Sequence, residues 1–169
     1  MLEGRMSSQI DWYELLSNSK IQEFNKWRLA NLTTKLDISE KKFSGTDLSN
    51  AFLSGIKCTN TDFSKCNMRG TNLVQAEASN AIFEGSNLTD ALFMYTDLRS
   101  SKLTHTNLTR ANFMWADLRH ADLSYSQLMQ TIFVEAKMEN AILENINKEE
   151  AYLKFAKLEG TSWSVDDHK

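Results

Sequence analysis

Proline is absent from all 169 residues of the chain. An average chain would carry about 5% proline, so ordinary proline-bearing loops are missing here, and a backbone that uses its N–H groups throughout is the natural reason. Cysteine is nearly absent, and Cys58 and Cys66 fit buried thiols in a reducing compartment better than a disulfide framework. No apolar run reaches the roughly 18 residues that a membrane-spanning helix needs. The N-terminus lacks the basic stretch and apolar run of a secretory signal, which makes a cytoplasmic location the expectation. Neither sign of charge dominates, with 19 basic against 22 acidic residues and a net charge of -3. That balance provides no bulk field for holding nucleic-acid phosphates or an anionic membrane surface, so direct binding to nucleic acid or membrane is not expected.

What is present is a period of five. Every fifth position from Ile38 to Trp163 belongs to a central column whose members are all apolar except Lys148. Two positions before each lies a second column that is Ala, Ser, Thr or Cys throughout, departing only at Leu36, Lys41, Ile56 and Ile146. Between the columns sits mostly Asp, Asn or Lys, as in Thr46-Asp47-Leu48 and Ala121-Asp122-Leu123. Neither the 3.6-residue period of a helix nor the 2-residue period of a strand produces this pattern; a chain that turns a regular corner at every fifth position does.

Phenylalanine recurs in the central column at Phe43, Phe63 and Phe83, then at Phe93, Phe113 and Phe133, each set spaced by four repeats. Four repeats per coil would stack each set on one wall as a core ladder. Twenty-six repeats then make six and a half coils, a rod roughly 31 Å long at the usual strand spacing. Gly45, Gly55, Gly70, Gly85 and Gly160 all fall two positions after a central residue, the phase at which a tight corner with positive φ selects glycine.

Ala111-Asn112-Phe113-Met114-Trp115, Ala116-Asp117-Leu118-Arg119-His120 and Ala121-Asp122-Leu123-Ser124-Tyr125 match the A(D/N)LXX consensus outright, and the sequence resembles the pentapeptide-repeat family over about residues 36–165. The resemblance implies an all-β solenoid, a right-handed quadrilateral β-helix. Convex repeat rods offer few concave pockets for small-molecule chemistry, so a non-catalytic role in binding or scaffolding other proteins is the expectation.

Before the repeats, Ser8 to about Arg28 reads as two short helices broken at Ser17-Asn18-Ser19, with Ser8 and Ser19 in N-capping positions. Trp12, Leu15, Leu16, Ile21, Phe24 and Trp27 would cover the open first coil, as solenoid ends require. The resulting division is a tag or disordered lead over 1–7, in which Met1 to Arg5 read as appended and Met6 as the native start. A helical cap follows over 8–35, the β-helix over 36–165 and a tail over 166–169. Leu158, Trp163 and Val165 would form a C-terminal edge, where the resemblance to topoisomerase-directed members of the family implies end-to-end homodimerisation. Lys148 cannot sit unpaired in the core, and a local bulge that turns it outward is preferred over a buried ion pair.

Sorting outward positions by their recurrence at every fourth repeat gives four unlike faces. One carries Phe52, Val74, Leu92, Met94, Tyr95 and Met114, continuing with Trp115, Ile132, Val134, Tyr152 and Phe155. A patch of this kind marks a partner surface, with Tyr95, Met114 and Trp115 as anchors. The alternative is that these side chains lie flat along the wall or under the N-terminal segment. Another face interleaves seven acidic residues (Asp37, Glu40, Glu77, Asp97, Asp117, Glu139, Glu159) with five basic ones (Lys57, Arg99, Arg119, Lys137, Lys157). Quinolone-resistance members of the family resemble duplex DNA and bind type II topoisomerases. Such mimicry needs a sustained acidic surface, so it is the alternative to a general protein-interaction role. His105, His120 and His168 lie apart from any ligand set, no phosphate-cradling loop is present, and no metal or cofactor is expected. The identity of the protein partner is not written in the residues.

Overall fold

The computed structural model describes residues 11–164. Ser8, Val165, the lead over 1–7 and the tail over 166–169 lie outside the described residues. The chain begins with two helices, α1 (Trp12–Ser17) and α2 (Ile21–Ala30). Asp11 is the N-cap of α1, its Oδ1 accepting from the N–H groups of Tyr13 and Glu14 at 3.0 and 3.2 Å. Ser19, at φ 55, breaks the chain in the left-handed region. The expected capping role of Ser19 is not what the structure shows. Lys20 occupies the N-cap of α2 without a side-chain bond, and the Ser19 hydroxyl is turned away to accept the N–H of Asp47 at 3.2 Å. α2 also runs past the expected end at Arg28, to Ala30.

From Asp37 onward the chain forms a ladder of short parallel bridges, each joining a residue to its counterpart four repeats later. Asp37, Lys57, Glu77, Asp97, Asp117, Lys137 and Lys157 form one column, and Lys42, Asp47 and Phe52 start the other three. The last-named column includes the two short strands β1 (Thr131–Ile132) and β2 (Ala151–Tyr152). Four columns in this register mean four five-residue segments per turn of the coil. From Ile38 to Met138 the central residues, Leu128 apart, donate their N–H groups to the next coil, as Phe63 does to the Ile82 carbonyl at 2.7 Å. From Lys57 to Ile142 the outward residues donate to the previous coil, as Asp62 does to Lys41 at 2.9 Å. Proline would delete one of these donors at most positions.

The corners have a single design. The central carbonyl accepts the N–H three positions on, as Phe43 does from Thr46 at 2.9 Å. The residue two after the centre has positive φ at all five expected glycines and at most other repeats. A four-residue turn with positive φ only in its third position is a type II turn. Gly70 and Gly160 are crowded as well: an added Cβ would meet Oδ1 of Asn50 and of Asn140, one coil back, and force that side chain to shift. The Asp or Asn between the columns caps this turn. Asp62, Asn72, Asn112 and Asp122 each accept, through Oδ1, the N–H two positions ahead at 2.9–3.0 Å, an Asx turn.

Inside, both columns are sealed. Phe43, Phe63 and Phe83 stack at 5.6 and 5.2 Å, and Phe93, Phe113 and Phe133 at 4.7 and 5.2 Å. The two stacks meet edge to face at Phe83 and Phe93, 5.7 Å apart and perpendicular, the geometry favoured by ring quadrupoles. Most hydroxyls of the small column are satisfied, as Thr61, Thr71, Thr96 and Thr131 donate to carbonyls one coil back at 2.7–2.9 Å, while that of Ser101 is buried without a partner. At Lys148 the expected bulge is a 3-10 turn, Lys148–Glu150, whose N-cap Asn147 accepts from Glu149. Lys148 is half-buried there, and among the described residues it forms no ion pair.

Candidate protein-docking face

The wall that begins at Phe52 carries Asn72, Leu92, Asn112, Ile132 and Tyr152 in one outward column. Asn72 and Asn112 interrupt its apolar run, yet both turn their Oδ1 back to the N–H groups of Val74 and Met114. Leu92, Met94, Met114, Ile132 and Val134 are half-buried along the wall. The greater exposure lies at the corner beside them. Tyr95 is 53% and Trp115 42% exposed, and their rings stack at 4.8 Å with 12° between the planes. Tyr152 is exposed, and Phe155, 70% exposed, lies beneath the ammonium of Lys154, 5.0 Å from the ring centroid. Glu135 stands between Trp115 and Phe155 in the corner column, so the aromatic run divides there.

Tyr95 and Trp115 occupy left-handed corners, φ 59 and 58. Such a backbone is uncommon for any residue but glycine or asparagine and is an outlier for a bulky one. It costs of order 1–3 kcal/mol per residue, whereas glycine stands at Gly55 in the same corner column at no such cost.

The charged wall is paired in part, Asp37 with Lys57, Asp97 with Arg99 and Asp117 with Arg119. Asp97 and Asp117 each hold the arginine two positions on through a two-pronged bond, Nε and Nη2 donating to Oδ1 and Oδ2 at 2.6–2.9 Å. Arg110 grips Asp90 of the preceding coil in the same way. The Arg99 guanidinium holds the Asp97 carboxyl below the usual carboxylate range, and Arg110 does the same to Asp90.

At the last coil, Leu158 is half-buried beside Leu153 and Ala151, while Trp163 is buried. Among the described residues, the N–H groups of Leu153 and Leu158 find no backbone acceptor. Cys58 and Cys66 are buried free thiols, and burial pushes Cys66 up to about 11 and Cys58 higher still. Neither is a nucleophile at neutral pH. Among the described residues no three His, Cys, Asp or Glu side chains gather as a metal site, and no helix is long and apolar enough to cross a membrane.

The stacked coils of five-residue units can be set against known proteins. Residues 56–133 match the model of the pentapeptide repeat region. Residues 56–133 are a pentapeptide repeat region. Among solved structures it is similar to HetL from the cyanobacterium Nostoc sp. strain PCC 7120, a pentapeptide-repeat protein involved in heterocyst differentiation regulation. That match has 20% identity, covers 75% of this chain and 84% of HetL, and has a TM-score of 0.51. Trypsin-treated QnrB1, a plasmid-mediated fluoroquinolone resistance protein, matches with 18% identity, 72% and 77% coverage and a TM-score of 0.49. Rfr23 from the cyanobacterium Cyanothece 51142 matches with 24% identity, 85% and 99% coverage and a TM-score of 0.39. No curated protein gives a match. The likeness to HetL is one of fold, the right-handed quadrilateral β-helix of pentapeptide-repeat proteins.

Proposed function

We propose that this chain is a non-catalytic interaction protein that docks a protein partner on the apolar wall and corner around Trp115. The observation that carries the reading is the exposed Tyr95–Trp115 stack on strained left-handed corners. The turn itself calls for no aromatic residue, since Gly55, Gln75 and Glu135 make it in the same corner column, and stacked aromatic rings make anchors in protein interfaces. The finer architecture belongs to the same reading: about six and a half coils, closed by α1 and α2 at one end and presenting Leu158 and Trp163 at the other for end-to-end pairing of two copies. The arginine-paired aspartates of the charged wall favour this role over imitation of a DNA duplex, which calls for uncompensated acidic charge.

Affinity capture from native lysate tests the docking face. The wild type should retain a partner that the Trp115→Ala, Met114→Ala double variant loses, with little change in melting temperature. Equal capture by both would discard the face. Sedimentation equilibrium tests the pairing, and a monomer at high micromolar concentration would discard it.

A further inference from the structure

Five arginines lie in the described part of the chain, and four of them pair with an aspartate: Arg69 and Arg110 with Asp90, Arg99 with Asp97, Arg119 with Asp117. All four are substantially exposed, where such a pair contributes little. Arg28 is the exception on both counts. It is 5% exposed, the one buried charged side chain among the described residues, and no carboxylate of those residues pairs with it. Its Nη1 donates to the carbonyls of Asn31 and Thr34 at 3.2 and 2.7 Å, and its Nη2 to that of Ser54 at 2.9 Å. Its Nε has no acceptor. Nε and Nη2 are the two atoms by which Arg99, Arg110 and Arg119 grip a carboxylate. In Arg28, Nε has no acceptor but no accessible surface either, so an incoming anion would meet the guanidinium through the remaining Nη2 proton. A buried cation without an anion is costly, and burial accordingly lowers the pKa of Arg28.

Arg28 lines a notch of about 250 Å³ with Thr33, Thr34, Lys35, Ser54 and Gln75 among its other walls, and no acidic residue contributes to it. A second cation, the exposed Lys35, therefore stands beside the buried guanidinium, and three hydroxyl side chains are at hand. The notch also adjoins the docking face. Ser54 shares its outward column with Met94 and Met114, and Gly55 and Gln75 share theirs with Tyr95 and Trp115, all separated by whole coils. Trp115 lies three coils from Gly55, about 14 Å at strand spacing, which about four extended residues cover.

We propose that this notch is an anion site that seats a carboxylate of the protein segment docked along the apolar wall. Arg28 and Lys35 hold the charge at one end, and Tyr95 and Trp115 hold apolar side chains further along. The biological occupant rests on the docking reading above; the anion site itself does not.

Nuclear magnetic resonance titration with N-acetylphenylalanine, and with its neutral amide as the matched probe, separates the two claims. The carboxylate probe should shift the Arg28 Nε–H signal and the backbone amides of Thr34, Ser54 and Gly55 saturably, and the amide probe should not. Lys35→Gln, a change on an exposed residue, should weaken the carboxylate probe at least fivefold without altering the melting temperature. An arginine that only staples α2 to the first coil predicts no shift with either probe, and that result overturns the site. Equal shifts with both probes, which mark apolar contact alone, overturn it as well. Silence of the Trp115 indole signal towards both probes counts against the docking wall and leaves the notch readout unaffected.

Discussion

The two ends of the rod solve the same problem differently. A coil at the end of a solenoid exposes a row of N–H and C=O groups that its missing neighbour would have used. At the first coil, side chains of the helices replace that neighbour. Asn25 accepts the N–H of Phe52 and donates to the carbonyl of Asn50, both within 2.9 Å, so one amide side chain performs the part of one backbone peptide. Ser19 takes the N–H of Asp47, and Arg28 supplies the Ser54 carbonyl. Tyr13 meets Phe43 edge on at 5.5 Å and receives the ammonium of Lys41 on its ring, which explains how a lysine stands in a column mostly of small residues. At the last coil the described residues offer no such substitutes. Its central leucines are half-buried where those of the middle coils are fully enclosed. Irregular helices can terminate a regular stack provided that their side chains reproduce its hydrogen-bonding pattern, and sequence periodicity does not govern that match.

The largest separation between the ends should come from the apolar contacts. Phe24→Ala, which empties a fully buried site under the first coil, should destabilise by about 3–5 kcal/mol. Leu158→Ala on the half-buried last coil should cost about 1 kcal/mol. Urea unfolding monitored by circular dichroism measures both, and equal losses would mean that the last coil is covered in solution. Next in size, Asn25→Ala should cost about 1–3 kcal/mol, because it strips a donor and an acceptor at once. Amide exchange at Phe52 should quicken selectively, and an unchanged rate would refute the substitution of amide for peptide.

Acid should act along the length of the rod. The carboxyl of Asp47 is held low by the N–H of Ser49, that of Asp37 by Ser39, and those of Asp90 and Asp97 by Arg110 and Arg99. Groups depressed in the folded state contribute their full stabilisation above their unfolded value, about pH 3.9, and lose it as the pH falls through the folded values. The melting temperature should therefore be flat near neutrality and decline below about pH 4; a decline beginning near pH 6 would point to other groups. The smallest effect should have the opposite sign. Trp115→Gly relieves a left-handed corner and should leave stability unchanged or raise it by about 0.5–1 kcal/mol while abolishing capture of the partner. A clear loss of stability would make Trp115 a structural residue and remove it from the docking face.

Much of the fold was legible because one geometric rule governs each position of the five-residue unit. Phe63 and Phe113 stack where the spacing of four repeats puts them, and Gly70 turns where glycine was needed. Lys148 marked the one break in the central column. The purpose of the Asp and Asn column was not legible from periodicity alone, although its signal was present. An acceptor one position before each core residue, in a chain with a turn in every repeat, is suited to cap the N–H two positions on. The apolar wall was legible as composition, but the distribution of its exposure was not. Half-burial of Leu92 and Met114 and the concentration of exposure at Tyr95 and Trp115 depend on rotamers packing against vertical neighbours one coil away. Arg28 could not be recognised at all, since its carbonyl partners come from a helix end and from a distant corner at Ser54.

Four repeats to the coil also set a grammar for changes in length. Deleting or inserting one whole repeat at a corner keeps every central residue inward and every turn intact, so such a change is nearly silent to the core. It nevertheless carries everything downstream a quarter of the way around the axis, and Trp115 would leave the wall it shares with Phe52 and Leu92 for the next one. Only a change of four repeats preserves both core and faces. Length variants of this chain would thus distinguish the constraint of folding, which counts in single repeats, from the constraint of recognition, which counts in whole coils.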